Sequence, residues 1–463
     1  QIVALNSVQL GAFTTSQIAA LLETQIRAVE TRDLVGLTTD QVVALNSAQI
    51  GALTSTQISA LDTNQIGAIE TSDLVGLSTT AIRAIETRDL AVLSTDQISA
   101  LNSAQLSAMT TLQFAGLNSN QLSAIQVATV SGLSTAQVRA IETNDIAGLT
   151  SSQIAALTTT QLSVMTTLQL AALTTDQITG IETRDIAGLS TSHIAAISST
   201  QFSVFSTSQV QVLSSNQVRA IGTSNIPGLT TDQIITLNST QLSALTTLQV
   251  AALDSNQIAA IEINDVGALT TAQIRSIETN DLGGLTTSLI AGLTSAQLAA
   301  MTTQQLAQLT TDQISAIETR DISNLTVEQV GALTTSQMSA LKATQISALD
   351  SNQISTLSSA QIGRLNSLQV AAIAIAAVPG LTSTQLISFT SAQIGTLSTV
   401  QIATLNAVQL GSIETKDLVA LSNLAIKAIN IAEFSGLTTL QISALNTQQI
   451  ASLTTLQIEV LGI

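Results

Sequence analysis

Acidic residues recur in pairs three apart: Glu30 with Asp33, Glu70 with Asp73, Glu86 with Asp89, Glu142 with Asp145, Glu182 with Asp185, Glu278 with Asp281, Glu318 with Asp321 and Glu414 with Asp417. Glu262 with Asp265 is close to the same pattern. Two carboxylates at this spacing could divide the work of general acid and general base. They could also lend oxygen ligands to calcium from adjacent turns of a stacked chain, with Glu30, Asp33, Glu86, Asp89, Glu142 and Asp145 as candidates. Neither EF-hand spacing nor a glycine-rich calcium nonapeptide occurs. Near-copies spread along a whole chain do not make one cleft, so no catalytic residue is expected and the chain is not expected to be an enzyme. The pairs are expected to form a structural charge stripe.

The basic residues follow them. Arg27, Arg83, Arg139, Arg219, Arg275 and Lys427 stand just before such a segment, and Arg32, Arg88, Arg184, Arg320 and Lys416 stand inside one. Eleven of the 13 cations are thereby placed beside the acids. Arg27 and Glu30, three apart, are expected to pair locally. Exposed ion pairs contribute only about 0–1 kcal/mol each, so their expected role is register, penalising slippage in a chain whose segments otherwise look alike. The single histidine, His193, lies where glutamine usually stands and is read as a substituted capping residue. Cysteine, tryptophan and tyrosine are absent, which removes thiol chemistry and most stacking platforms. The net charge of −17 opposes nucleic acid and anionic lipid, and no apolar run is long enough for membrane insertion.

What must position these groups is a repeat. The 463 residues are four residues, 57 blocks of eight without insertion or deletion, and three more. Each block reads L-[TSN]-[TS]-x-Q-[ILV]-x-A, as in residues 37–44 and 149–156. Positions 1 and 6 are always large and apolar, position 8 is usually small, and position 5 is Gln in forty blocks. Thr, Ser, Asn or Asp at position 2 is a good N-cap, and Gln three residues later closes a capping box. Apolar residues on either side of that box form a hydrophobic staple. Each octad therefore predicts a helix of about one and a half turns, too short to stand alone and obliged to stack on its neighbours.

The fold expected is an all-α superhelical solenoid, one short capped helix per octad, continuous over residues 1–463 with no separate globular domain. The alternative is a β-solenoid, favoured by Thr, Ile and Val and by the chance of a glutamine ladder. Against it, positions 8 and 1 are adjacent and both inward, and 23 Gly with 2 Pro are few for so many β-corners.

The acidic octads, I-E-T-x-D-[LI]-x-G, have degenerate forms beginning at Ile125, Ile221, Ile373 and Ile429. They are separated by five octads, by two, and once by seven. Steps of five and two suggest about 2.3–2.5 octads per superhelical turn, with seven octads forming a duplicated unit. Gly36, Gly76, Gly148 and Gly188, at position 8 of these octads, are expected to adopt a left-handed conformation ending the helix. Leu112, Leu168, Leu248, Leu368, Leu424, Leu440 and Leu456 occupy position 4, elsewhere usually polar. They are read either as extra packing between turns or as a stripe for lateral contact between copies.

The runs of LTTxQIxAL resemble the low-complexity repeat regions of large secreted or surface proteins of Gram-negative bacteria, of adhesin-like type. The resemblance spans all 57 octads. It implies an extracellular or cell-surface address and a role as a rigid rod: filament subunit, stalk or surface-layer element, self-associating end to end or laterally. It transfers no site residue. A second class is a ligand-binding module whose regular Thr/Ser array recognises glycan or ice. The chain starts with Gln and shows no signal-peptide pattern, so an excerpt or mature piece of a longer protein is expected.

Overall fold

In a computed structural model, residues 2–462 are described. Among them there is no strand: the chain is a succession of short α-helices with seven 3-10 helices, one helical segment to each octad. By contacts it divides into two compact units, Gln1–Leu229 and Thr230–Ile463, both built from the same octad. The β-solenoid alternative is set aside.

The octad beginning at Leu37 shows the local logic in the first unit. Thr38 is extended (φ −76°, ψ 161°) and caps the helix Thr39–Val43. Its Oγ1 accepts from the Gln41 N–H at 3.3 Å, and Gln41 Oε1 accepts from the Thr38 N–H at 2.9 Å. The helix stops without glycine, because the residue at position 1 of each following octad turns extended. Leu53, for example, takes φ −61° and ψ 130° while its N–H closes on the Ile50 carbonyl. One residue thus ends a helix and staples the next. Its side chain and that of position 6 go inward: Leu106, Met109, Phe114 and Leu117 are buried in the first unit, Leu298, Met301, Leu306 and Leu309 in the second.

Glycine does different work from that expected. The only positive φ among the described residues is at Gly462, so Gly36, Gly76, Gly148 and Gly188 do not end helices in a left-handed conformation. They permit close approach between turns. A Cβ on Gly148 would fall on the Ser119 backbone, and one on Gly188 would fall on the Thr159 side chain. We expect Gly148→Val to lower the stability of the first unit by about 1–3 kcal/mol. Gly283→Ala, which meets nothing within 4 Å, should change the stability of the second unit by less than about 1 kcal/mol. Urea titration of the two variants checks the contrast.

The superhelical pitch also differs from expectation. Bonds between turns join residues 25 to 31 apart, and each helix packs on the one three octads away, as Ser151–Ala156 does on Thr175–Gly180. A turn therefore takes between three and four octads rather than the 2.3–2.5 expected, and seven octads span about two turns. The steps of five and two establish only that their sum closes on whole turns. Two turns and three turns meet that condition equally, and the inter-turn bonds 25 to 31 residues apart select two. Acidic octads five or two apart thus lie roughly on opposite sides, and those seven apart fall in line.

Candidate functional site

Position 5 is where the turns are joined. In the ordinary octad the glutamine is buried and works in two directions. Gln153 accepts the Thr150 N–H on Oε1 at 2.7 Å, while its Nε2 reaches down to the carbonyls of Ile125 at 2.6 Å and Leu122 at 2.9 Å. In the second unit Gln297 does the same, capping at Thr294 and donating to the carbonyls of Leu269 (2.7 Å) and Val266 (2.9 Å). The orphan donor of one helix start and the orphan carbonyls of another helix end are satisfied by one side chain. Capping alone was legible in the sequence; the downward bond was not. The signal for it was the choice of amide. A capping box accepts Glu as readily as Gln, yet forty octads carry Gln and one, at Glu433, carries Glu.

His193 substitutes for glutamine as expected. Its Nδ1 accepts the Ser190 N–H at 3.2 Å, and Nε2 lies 2.9 Å from the Met165 carbonyl, so the Nε2–H tautomer reproduces both bonds. His193→Gln should therefore leave the thermal midpoint within about 2 °C of the parent.

The acidic octads invert the polarity of the joint. Aspartate is too short for the box and accepts where Gln donates. Asp145 Oδ1 takes the Ser119 N–H and hydroxyl, both at 2.8 Å, and Asp89 Oδ1 takes the Thr63 hydroxyl at 2.5 Å. Asp185 accepts from Thr159, Asp321 from Ser295 and Asp417 from Ser391 in the same way. In each of these bonds the donor is at position 3, 26 residues earlier. Glu433 belongs with them, accepting the Ala407 N–H at 2.6 Å.

The paired glutamate points the other way. Glu30 meets Arg32 at 2.7 Å and Glu86 meets Arg88 at 3.0 Å, while each arginine also stands near its aspartate, 3.7 Å from Asp33 and 3.5 Å from Asp89. Glu182–Arg184, Glu318–Arg320 and Glu414–Lys416 repeat the pairing, and the Glu414 carboxylate raises the pKa of Lys416 by hydrogen bond and charge. The expected Arg27–Glu30 pair is replaced, because Arg32 reaches Glu30 from two residues away. Arg27 Nε instead donates to the Ala52 carbonyl at 3.4 Å, and Arg83 Nε to that of Ala108 at 3.3 Å. Arg139 and Arg275 are exposed in the last turns of their helices, where a cation suits the carbonyl ends.

The two carboxylates of a pair therefore diverge, one outward onto a cation and one inward onto a hydroxyl. This donor set does not suit calcium. Glu30 and Glu86 are held by arginine, Asp89 and Asp145 by Ser or Thr. Among the described residues no three His, Asp or Glu side chains gather as metal ligands would. Shallow open grooves run beside acidic octads, one lined by Arg27, Glu30, Arg32 and Thr54 and another by Glu318, Arg320, Lys342 and Thr344.

The position-4 leucines are all exposed: Leu112, Leu168, Leu248, Leu368, Leu424, Leu440 and Leu456. The reading as packing between turns is thereby excluded, and they remain surface groups.

A stack of capped octads joined by side-chain amides defines a helical repeat protein. The chain belongs to the ALTTAQ repeat family, whose model matches residues 26–63, 66–103, 82–119, 122–159, 138–175, 178–215, 258–295, 274–311 and 314–351, well over half the chain. No curated protein matches it. Among solved structures, the leucine-rich repeat-containing protein LegL7 from Legionella pneumophila aligns at 11% identity over 57% of this chain and 85% of its own, with a TM-score of 0.14. The structure of APUM23–GGAAUUGACGG aligns at 12% identity over 94% and 87%, with a TM-score of 0.15. Scores this low carry no argument about either fold or function.

Proposed function

We propose that the protein is a structural element: a stiff repetitive spacer, filament subunit or surface-layer component outside the cell, able to associate with copies of itself, and without catalytic activity. The observation that supports this most is how its chemistry is spent. The polar groups that recur, Gln, Asp, Ser and Thr, are engaged in capping and in joining turns, as at Gln153 and Asp145, and the outward acids are engaged with cations. What remains outside is a regular surface with little to distinguish one octad from the next. An extracellular address accords with a cysteine-free, acidic chain that resembles surface repeats.

The alternative, an ice- or glycan-binding Thr/Ser lattice, is less well supported. The position-2 hydroxyls such as Thr38 and Thr150 already accept backbone N–H groups, which leaves fewer to face a ligand. Electron microscopy of the purified chain tests the structural role: slender particles or fibres with helical circular dichroism are expected, and compact particles would overturn it.

A further inference from the structure

In the second unit, exposed apolar residues are concentrated. Twelve of the 26 exposed large hydrophobic side chains among the described residues fall within 365–460, about a fifth of the chain. Four of them, all at position 4, line up from turn to turn. Leu368, Val400, Leu424 and Leu456 are 76%, 52%, 70% and 60% exposed. The helices that carry them, Ser367–Ala371, Thr399–Ala403, Asn423–Ala428 and Thr455–Leu461, are successive layers of the stack. Gln401 donates to the Ala371 carbonyl at 3.3 Å, Thr399–Ala403 packs on Asn423–Ala428, and Gln457 donates to the Lys427 carbonyl at 3.1 Å. The result is an apolar strip about 30 Å long at roughly 10 Å per layer. Its area is on the order of 500 Å², the size at which patches mark association sites.

Two further observations identify the occupant. The first is electrostatic. No charged residue lies between Arg364 and Glu414, and residues 365–460 hold four acids and two bases. In a chain of net charge −17, two copies meeting here would repel one another only weakly. The second is spacing. The four residues are four, three and four octads apart, a palindrome. A twofold axis through its centre sets Leu368 of one copy against Leu456 of the other, and Val400 against Leu424. A palindromic row is what a self-complementary contact requires, whereas a lipid surface or an unrelated protein imposes no such symmetry.

We propose that this strip is the surface through which two copies of the chain pair laterally, antiparallel, about a twofold axis between Val400 and Leu424. The inference rests on the self-association in the reading above and adds its surface and symmetry. Two such strips face to face would bury about 1,000 Å² in total, the low end of specific interfaces.

The test uses the full chain, whose lack of cysteine makes engineered thiols unambiguous. Sedimentation velocity should show a dimer for the parent and for Leu112→Lys/Leu168→Lys. The double variant Val400→Lys/Leu424→Lys should associate at least about tenfold more weakly with an unchanged helical melt, as expected when central apolar anchors are lost. Under mild oxidation, a mixture of Leu368→Cys and Leu456→Cys chains should cross-link between copies, whereas either alone should not. A monomeric parent, a dimer indifferent to Val400→Lys/Leu424→Lys, equal cross-linking of Leu368→Cys with itself, or capture of a monomeric parent by phosphatidylcholine vesicles would each overturn the proposal. Slender helical particles that do not pair would sink this contact and leave the structural role standing; compact particles would sink the role itself.

Discussion

Gln153→Leu should destabilise the first unit by about 3 kcal/mol, although the substitution keeps the size and raises the hydrophobicity of a buried side chain. The Gln153 side chain is 1% exposed and serves the Thr150 N–H above and the Leu122 and Ile125 carbonyls below. Leucine leaves the Thr150 N–H and the Ile125 carbonyl unpaired, while the Leu122 carbonyl keeps the Ile125 N–H; a buried donor or acceptor without a partner costs about 1–3 kcal/mol. Some of that is recovered from burying a more apolar side chain, which is why the total stays below the upper end for two such groups.

Gln153→Glu separates the two halves of the joint. A carboxylate still accepts the capping N–H but faces two carbonyls with no proton to give. The folded state therefore favours the protonated acid, and the pKa of the introduced group is raised above the ordinary Glu value of about 4.3. Stability should be highest below that value and fall as pH rises through it towards the raised folded pKa. Urea midpoints of both variants between pH 3.5 and 7 check this. A Gln153→Glu chain as stable at pH 7 as at pH 3.5 would show that the amide donor is dispensable.

The second large effect is expected at Phe202→Ala. Phe202 is fully buried, with its ring centroid 5.1 Å from that of Phe205. Truncation should cost about 3–5 kcal/mol. The consequence should also be local, because helices pack on those three octads away and stability in such arrays is a sum over neighbouring repeats. Amide hydrogen exchange should speed up in the octads on either side of residue 202 and in the turns directly above and below it. Octads about 80 or more residues away within the first unit should keep their protection. A uniform loss of protection throughout that unit would mean a single cooperative core rather than a stack.

Much of this was legible in the sequence, because the octad is a local code. Cap, box and staple lie within six consecutive residues, and Leu37, Thr38, Gln41 and Val42 were enough to predict the helix Thr39–Val43. His193 was readable for the same reason, since its role is set by Ser190 three residues away. What could not be read lies between turns. The Gln153 amide meets residues 28 to 31 positions earlier, a separation with no local signature, and an eight-residue period is compatible with several superhelical turns. The glycines were misread on the same account: Gly148 is required by the Ser119 backbone a turn away and has no part in its own helix's end. The partners of Asp145 and Arg27 come from adjacent turns, where sequence spacing does not reach.

The joints between turns, the placing of the acidic octads and the apolar strip all depend on which octads lie on top of which. Position 4 is exposed and tolerant, so nitroxide labels on Ala104→Cys paired with Ala128→Cys, 24 residues apart, can be compared with Ala104→Cys paired with Asn120→Cys, 16 apart. The helices Ser103–Ala108 and Val127–Val130 are stacked, so the first pair should lie about 10–15 Å apart, near the spacing of packed helices, and show strong dipolar broadening, while the second pair shows none. Broadening of the 16-residue pair in place of the 24-residue pair would contradict the stacking on which the joints, the acidic octads and the apolar strip all rest.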